Sequence, residues 1–386
     1  MRGRRDHWSK AGAATVALAV LVVGAVVAQD PPPQPPAKGA NTPNEKPKGK
    51  DRKGRLLKAP TRAPAKGVGK VADALANAPN ADGTPILPGQ PLPPPGTFHY
   101  RFKITVAELE PLSAAYYPSK TGGNASPVVM LVHERERSSK DFEESIAELK
   151  KFTFAEELQK QGYAVLALDY RGHGASIPRR TLSRSDWPGV VNDLQAAYYC
   201  LVDRHNRGEL NLAKLGVVAS GEGANLAATW AAQGGGVSSE GRASDLGAMV
   251  LVSPMVVGQD QGLPARSGIS ALAARVPLDL MAGERDAASS ALVDDGPASV
   301  KAIVKRHRAN KVETFPSALH GYKLLQFEPG LIASVMQFLD GSIKSKGDDW
   351  DGRYLFNPVA YTDVKLVKNP VRIVPPAAAT PKKDAN

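Results

Sequence analysis

Apolar and polar positions divide the chain into a periodic middle and two ends that lack such a pattern. The middle begins near Phe98, where "FHYRFKITV" alternates as a strand does. Farther along, five runs are almost entirely apolar, at 127–134, 163–170, 215–219, 247–254 and 276–284. Continuous apolar runs of this length are typical of parallel strands that are buried on both faces.

Segments with helical spacing lie between these runs. Helices are predicted at 152–162, 187–204, from about Ala224, at 297–307 and at 331–343, and further strands at 113–119 and 311–316. Strands that alternate with helices predict an α/β fold, with a doubly wound, mostly parallel sheet and helices on both faces. Functional groups are then expected at the carboxyl ends of the strands.

The ends differ from this middle in composition. Residues 1–28 combine the basic segment "MRGRRDHWSK" with a run of about 18 small and apolar residues that ends at Ala28. This pattern predicts a secretory signal peptide cleaved near Ala28, hence a secreted or periplasmic protein; an uncleaved signal anchor is the alternative. We therefore expect a disordered Pro/Lys-rich linker at 29–97, one domain at 98–344, and a C-terminal extension and tail at 345–386.

Positive charge is concentrated in the ends. The formal net charge is +11, yet residues 1–97 alone contain 15 Lys and Arg against 6 Asp and Glu. The predicted domain is therefore close to neutral, which argues against a nucleic-acid partner, because such a partner requires a basic face on the folded module. The basic arm could bind an anionic envelope surface, or it could be a solubilising spacer.

Three polar motifs follow predicted strands, where catalytic groups are expected. They are "DYRGHG", which begins at Asp169, "GERDA" with Asp286, and "LHGYK" with His320. In their identity and order these motifs resemble the α/β-hydrolase fold superfamily, in its serine esterase, dienelactone-hydrolase and peptidase-like branches, over roughly Phe98 to Lys344. The resemblance implies a serine nucleophile on a strand-to-helix elbow, with His320 as its base and Asp286 as the acid that orients the base.

The elbow itself matches "ASGEGAN" in one of two registers. Residues two before and two after the nucleophile must be small, because the backbone passes closely there. Centred on Ser220, these flanks would be Val218 and Glu222, which are bulky; centred on Gly221 they are Ala219 and Gly223. The second register fits, so we expect Gly221 in the nucleophile position and Ser220 beside it as the alternative nucleophile.

The predicted oxyanion region is altered as well. In the superfamily the loop after the third strand often begins His-Gly. Here the loop that ends the apolar run at 127–134 reads "HERERSS", so Glu134 replaces the glycine. Glu134 and Glu222 could place carboxylates where an oxyanion should be stabilised, or they could point to solvent and pair with Arg135 or Arg137.

These residues leave three functional hypotheses. The favoured one is an exported pseudo-hydrolase that keeps a cleft for a small acyl or ester ligand. The alternatives are an active ester or acyl hydrolase that uses Ser220 with His320 and Asp286, and an envelope-associated scaffold that acts through its basic arm. No cofactor or metal is expected, because the seven histidines show no ligand spacing.

Overall fold

The computed structural model describes residues 96–369, except 108, 147, 150–151, 177–181, 238–242, 257–262, 348–349 and 354–357. The predicted signal peptide, almost all of the linker and the end of the predicted tail lie outside these residues and stay predictions. Among the described residues, no helix is both long and apolar enough to cross a bilayer.

Nine strands of the described chain form one sheet. In chain order they are β1 (Phe98–Val106), β2 (Leu112–Tyr117), β3 (Val128–Val132), β4 (Ala164–Leu168), β5 (Leu215–Ser220), β6 (Leu246–Val252), β7 (Leu278–Gly283), β8 (Lys311–Phe315) and β9 (Val359–Lys368). Their spatial order is β8-β7-β6-β5-β3-β4-β2-β1-β9. The six strands from β8 to β4 are parallel, and β2, β1 and β9 complete the sheet in antiparallel pairs.

Eight α-helices connect the strands in the described chain. They are α1 (Phe154–Lys160), α2 (Trp187–Asn206), α3 (Glu222–Ala232), α4 (Ala265–Leu272), α5 (Ser290–Val293), α6 (Lys301–Val304), α7 (Gly321–Phe327) and α8 (Leu331–Leu339). The predicted α/β fold with a doubly wound, mostly parallel sheet is thereby confirmed.

The apolar runs are continuous because both faces of the sheet are covered. On one face, alternate residues such as Val217 and Ala219 pack with α2, α3 and α4. On the other face, Val218 and Val250 pack with α1, α7 and α8. Since successive side chains of a strand point to opposite faces, a strand inside such a sheet has no polar face.

Two features differ from the predicted pattern. The helix predicted at 297–307 extends only over Lys301–Val304. Strand β9, within the predicted C-terminal extension, pairs antiparallel with β1 along most of its length. The sheet therefore continues beyond residue 344. The domain boundary at residue 344 stays a prediction.

Candidate active site

The turn between β5 and α3 brings the sequence "SGE" to the carboxyl edge of the sheet. Strand β5 ends at Ser220, α3 begins at Glu222, and Gly221 lies between them with φ 55° and ψ −131°. A positive φ with an extended ψ is a region that residues with a Cβ rarely enter, and it marks a strained strand-to-helix elbow. Gly221 is thus the apex of this turn.

Close backbone approach explains the small residue two positions later. A Cβ atom on Gly223 would overlap the carbonyl oxygen of His133 at the end of β3. Ala219, two positions before the apex, is fully buried and lies opposite Val132 in the sheet. The spacing of small residues around Gly221 therefore follows from packing of the elbow against β3.

Ser220 lies in the strand and not at the apex. Its position in β5 puts its side chain on the same sheet face as Val218, which packs with α7 and α8. The residue is 1% exposed, and Oγ has no hydrogen-bond partner among the described residues. The structure thus does not join Ser220 to His320 by a hydrogen bond.

Asp286 and His320 are brought together from two loops. His320 Nδ1 lies 2.7 Å from Asp286 Oδ2, and that carboxylate also accepts hydrogen bonds from Ser289 Oγ and the Ala288 N–H. Burial alone would raise the pKa of Asp286, but these bonds outweigh it and hold the pKa below its usual value.

The charges around His320 have the opposite effect to those around Asp286, because they raise the pKa of the imidazole. Burial would lower the pKa of His320, but the hydrogen bond and charge of Asp286, followed by the charges of Glu134 and Glu222, raise it. The side chain is 28% exposed, so the ring can still reach a ligand. His320 is therefore an accessible imidazole that is oriented by a buried acid, and carboxylates surround it.

Glu134 fills the space in front of the elbow. Its Cγ lies 2.6 Å from the position of a Cβ on Gly221, and its carboxylate lies against Gly321. The Tyr322 N–H donates to Oε1 of this carboxylate. Burial raises the pKa of Glu134, although the Tyr322 N–H and the charge of His320 oppose the shift. Of the two orientations open from sequence, Glu134 adopts the one directed toward the elbow.

Arg135 and Glu222 complete the residues predicted for the oxyanion region. Arg135 donates from Nη2 to the carbonyl oxygen of Leu182, at 3.3 Å. Glu222 is the first residue of α3 and is half-buried.

Two contributors were not identified from sequence. Ser289 binds Asp286 three residues earlier, a local spacing that a search for hydroxyls near the acid could have found. The Tyr322 N–H acts through its backbone, so no residue type could have revealed it.

A comparison with protein families bears on this arrangement. A family model described as serine aminopeptidase, S33, matches residues 124–307, which extend from β3 to α6 and include the elbow and Asp286. This matched segment of the chain is similar to an α/β-hydrolase family. The superfamily resemblance derived from the three polar motifs is confirmed, while the role of Gly221 as a vacant nucleophile position is not settled by this match.

Solved α/β-hydrolase structures are similar to this chain at low sequence identity. An esterase from Pyrococcus furiosus is 20% identical with a TM-score of 0.45, over 69% of this chain and 97% of the esterase. An acylaminoacyl peptidase from Pyrococcus horikoshii is 13% identical with a TM-score of 0.48, over 66% and 43% of the two chains. A soluble variant of a monoglyceride lipase from Saccharomyces cerevisiae is 13% identical with a TM-score of 0.45, over 63% and 95%. The comparison with curated proteins gave no match to this chain.

Proposed function

We propose that this protein is an exported pseudo-hydrolase, which binds a ligand above the sheet and does not hydrolyse it. The proposal rests on one observation. Gly221, at the elbow apex where a nucleophile would lie, has no side chain, and Glu134 fills the space that such a side chain would occupy. The His320–Asp286 pair supports the assignment of this edge as the ligand site.

The chemistry of acyl transfer explains why this change matters. A base oriented by an acid accelerates acyl transfer by taking a proton from a nucleophile such as a serine hydroxyl. His320 and Asp286 retain the geometry of that pair, but Gly221 offers no atom for them to activate.

The electrostatics of the site also argue against hydrolysis. A tetrahedral intermediate carries negative charge that an oxyanion hole must stabilise with donors. Glu134 and Glu222 place carboxyl groups near His320, and both raise its pKa. Negative charge at this position opposes the stabilisation of an oxyanion.

Ser220 defines the competing hypothesis of an active hydrolase. Covalent labelling with a fluorophosphonate probe separates the two, because the probe reacts with activated serines. We expect no labelling and no turnover of short acyl esters by the full chain. Labelling that Ser220→Ala abolishes, together with ester turnover, would overturn the proposal and establish the hydrolase.

Export and envelope association are part of the same proposal and rest on the sequence of residues 1–97. We propose cleavage after Ala28 and contact of the basic arm with an anionic envelope surface. N-terminal sequencing of the mature protein tests the cleavage, and an uncleaved N-terminus would favour the tethered form. Deletion of 29–97 should release the protein from the membrane fraction without changing its circular dichroism spectrum; unchanged fractionation would exclude an anchoring role for the arm.

A further inference from the structure

A strongly basic surface lies at the amino edge of the sheet. Although the predicted domain is close to neutral overall, residues 299–312 contain five Lys and Arg and no Asp or Glu. They extend over α6 and the turns that lead into β8. The charge of the folded part of the chain is therefore unevenly distributed.

Four exposed basic side chains at this edge have no ion-pair or hydrogen-bond partner among the described residues. They are Arg275, Lys305, Arg306 and Arg308, and we call them the basic patch. Two neighbouring lysines are paired with acids instead. Lys301 lies 3.1 Å from Asp295, and Lys311 lies 3.6 Å from Glu313. The patch therefore carries four positive charges with which no described acid is paired.

Hydrogen bonds join the two loops that carry the patch. Asn310 Nδ2 donates to the carbonyl oxygens of Ala273, at 2.8 Å, and Val304, at 3.0 Å. The Oδ1 atom of the same side chain accepts from the Leu278 N–H at 2.9 Å. The loop before β7, which contains Arg275, is thus tied to the turns before β8, which contain the other three residues. Because this backbone is already ordered, a partner would bind the patch with little loss of conformational entropy.

The basic patch and the candidate active site lie at opposite edges of the sheet. Strands β7 and β8 are parallel. The patch lies in the loops before these strands, whereas Asp286 and His320 lie in the loops after them. A strand of five residues, such as β8, separates the two edges by roughly 15 Å. A surface bound at the patch therefore leaves His320 directed away from it.

The form of the patch favours an extended anionic surface as its partner. Its four residues lie at exposed loop positions, whereas small ligands are usually held in a cleft. Neither loop, at 273–277 or at 305–310, contains Phe, Tyr or Trp, on which the bases of a single-stranded nucleic acid would stack. Anionic headgroups of a bilayer, in contrast, attract clusters of Lys and Arg through charge alone.

We propose that the basic patch docks the folded domain on a bilayer that contains anionic phospholipid, with the candidate active site directed away from the membrane. This contact is separate from that of the basic arm, because it involves only residues of the folded domain. It does not depend on the loss of hydrolysis, and it uses the proposed export only to bring the protein to an envelope membrane. Each basic residue near such a surface contributes about fivefold to affinity, so docking by four residues is reversible and sensitive to salt.

Acetylation of lysines in the full chain tests this orientation. Lys305 reports on the patch, while Lys140 and Lys323, which are exposed and follow the carboxyl ends of β3 and β8, are internal controls. Vesicles of phosphatidylglycerol and phosphatidylcholine should slow acetylation of Lys305 at least about threefold and leave both controls unchanged. Vesicles of phosphatidylcholine alone should protect none of the three lysines, and high salt should abolish the protection of Lys305.

The double variant Arg306→Gln with Arg308→Gln removes half of the charge of the patch and keeps Lys305 as the reporter. Protection of Lys305 by anionic vesicles should largely disappear. The affinity of the full chain for these vesicles, measured by co-sedimentation, should fall at least about fivefold. The matched control, Lys140→Gln with Lys323→Gln, removes the same charge at the carboxyl edge and should leave both measurements unchanged.

Three results would each overturn the proposal: equal protection of Lys305 and Lys323, an unchanged vesicle affinity of Arg306→Gln with Arg308→Gln, or equal binding to neutral vesicles. Protection of Lys305 by a short DNA duplex and not by vesicles would also overturn it, and would assign the patch to nucleic acid. Deletion of the arm and labelling of serine are measured separately. The arm contact or the pseudo-hydrolase could therefore fail without changing the protection of Lys305.

Discussion

The Cγ atom of Glu134 lies 2.6 Å from the place where a Cβ on Gly221 would be. Two heavy atoms that are not bonded cannot approach so closely, so the side chain at 134 and the absence of one at 221 are mutually dependent. The glycine at the elbow apex and the glutamate in the loop after β3 are therefore one linked structural feature and not two independent ones.

This dependence predicts that Gly221→Ser alone will not create a hydrolase. The new serine requires both the strained φ of 55° and the displacement of Glu134, so we expect lower stability and no fluorophosphonate labelling. The double variant Glu134→Gly with Gly221→Ser removes the overlap and the adjacent carboxylate, and its new serine should be labelled.

A third variant serves as the control for this pair. Adding His320→Ala to the double variant should reduce the labelling, because the serine then has no base. Labelling of the single variant Gly221→Ser at the same rate as the double variant would contradict the proposed obstruction by Glu134.

The protonation of His320 gives a second prediction. Asp286 is the principal group that raises the pKa of His320, and Glu134 adds a smaller effect through its charge. Asp286→Asn should therefore lower the pKa of His320, and Glu134→Gln should lower it by less. Nuclear magnetic resonance titration of the imidazole protons measures both shifts in pKa. An equal or larger shift in Glu134→Gln would contradict the assignment of Asp286 as the principal group that raises the pKa of His320.

The same shift has a defined consequence for stability. A histidine with a raised pKa in the folded state stabilises that state fully below its unfolded pKa, and this contribution disappears as pH rises through the folded pKa. We therefore expect the destabilisation caused by Asp286→Asn to be larger near pH 5 than near pH 9, as measured by urea unfolding at both values. A destabilisation that did not depend on pH would mean that the pair contributes through packing alone.

The sequence predicted the fold and the His320–Asp286 pair because both follow from local patterns. The buried strands, such as Val128–Val132, are apolar throughout, and His320 and Asp286 occur in recognisable motifs after strands. The orientation of Glu134 could not be predicted, since it depends on a hydrogen bond from the Tyr322 N–H, far away in the chain. Strand β9 escaped detection because an edge strand carries many exposed polar residues, which makes its pattern resemble that of a tail.

Gly223 is predicted to be essential for stability because of packing and not because of its backbone conformation. It lies in the first turn of α3, and a Cβ there would overlap the His133 carbonyl group, which cannot move without disturbing β3. Gly223→Ala should therefore lower the free energy of unfolding by about 1–3 kcal/mol, the usual cost of overpacking, as measured by urea denaturation. The matched control is Gly341→Ala, where a Cβ would meet nothing within 4 Å; a loss of similar size there would disprove the packing explanation.

Asp279 leads to a prediction about the pH dependence of the whole fold. This residue of β7 is fully buried, and neither of its carboxylate oxygens has a hydrogen-bond partner among the described residues. Burial, with a further contribution from Glu313 and against that of Lys311, raises its pKa from 3.8 to about 7.

An acid with a raised pKa in the folded state favours that state only while it is protonated. Its contribution is therefore present in full below about pH 4, the unfolded value, and is lost as pH rises through about 7. Asp279→Asn cannot ionise, so relative to the native chain its free energy of unfolding should increase with pH, by up to about 4 kcal/mol at 1.36 kcal/mol per pKa unit.

Urea unfolding of both proteins from about pH 4 to 9 measures this difference. Asp295→Asn, at a side chain that is 89% exposed, is the control and should show no such trend. A difference between Asp279→Asn and the native chain that stayed constant with pH would show that Asp279 keeps an ordinary pKa in the folded protein, and that its buried carboxylate is stabilised by contacts other than those described.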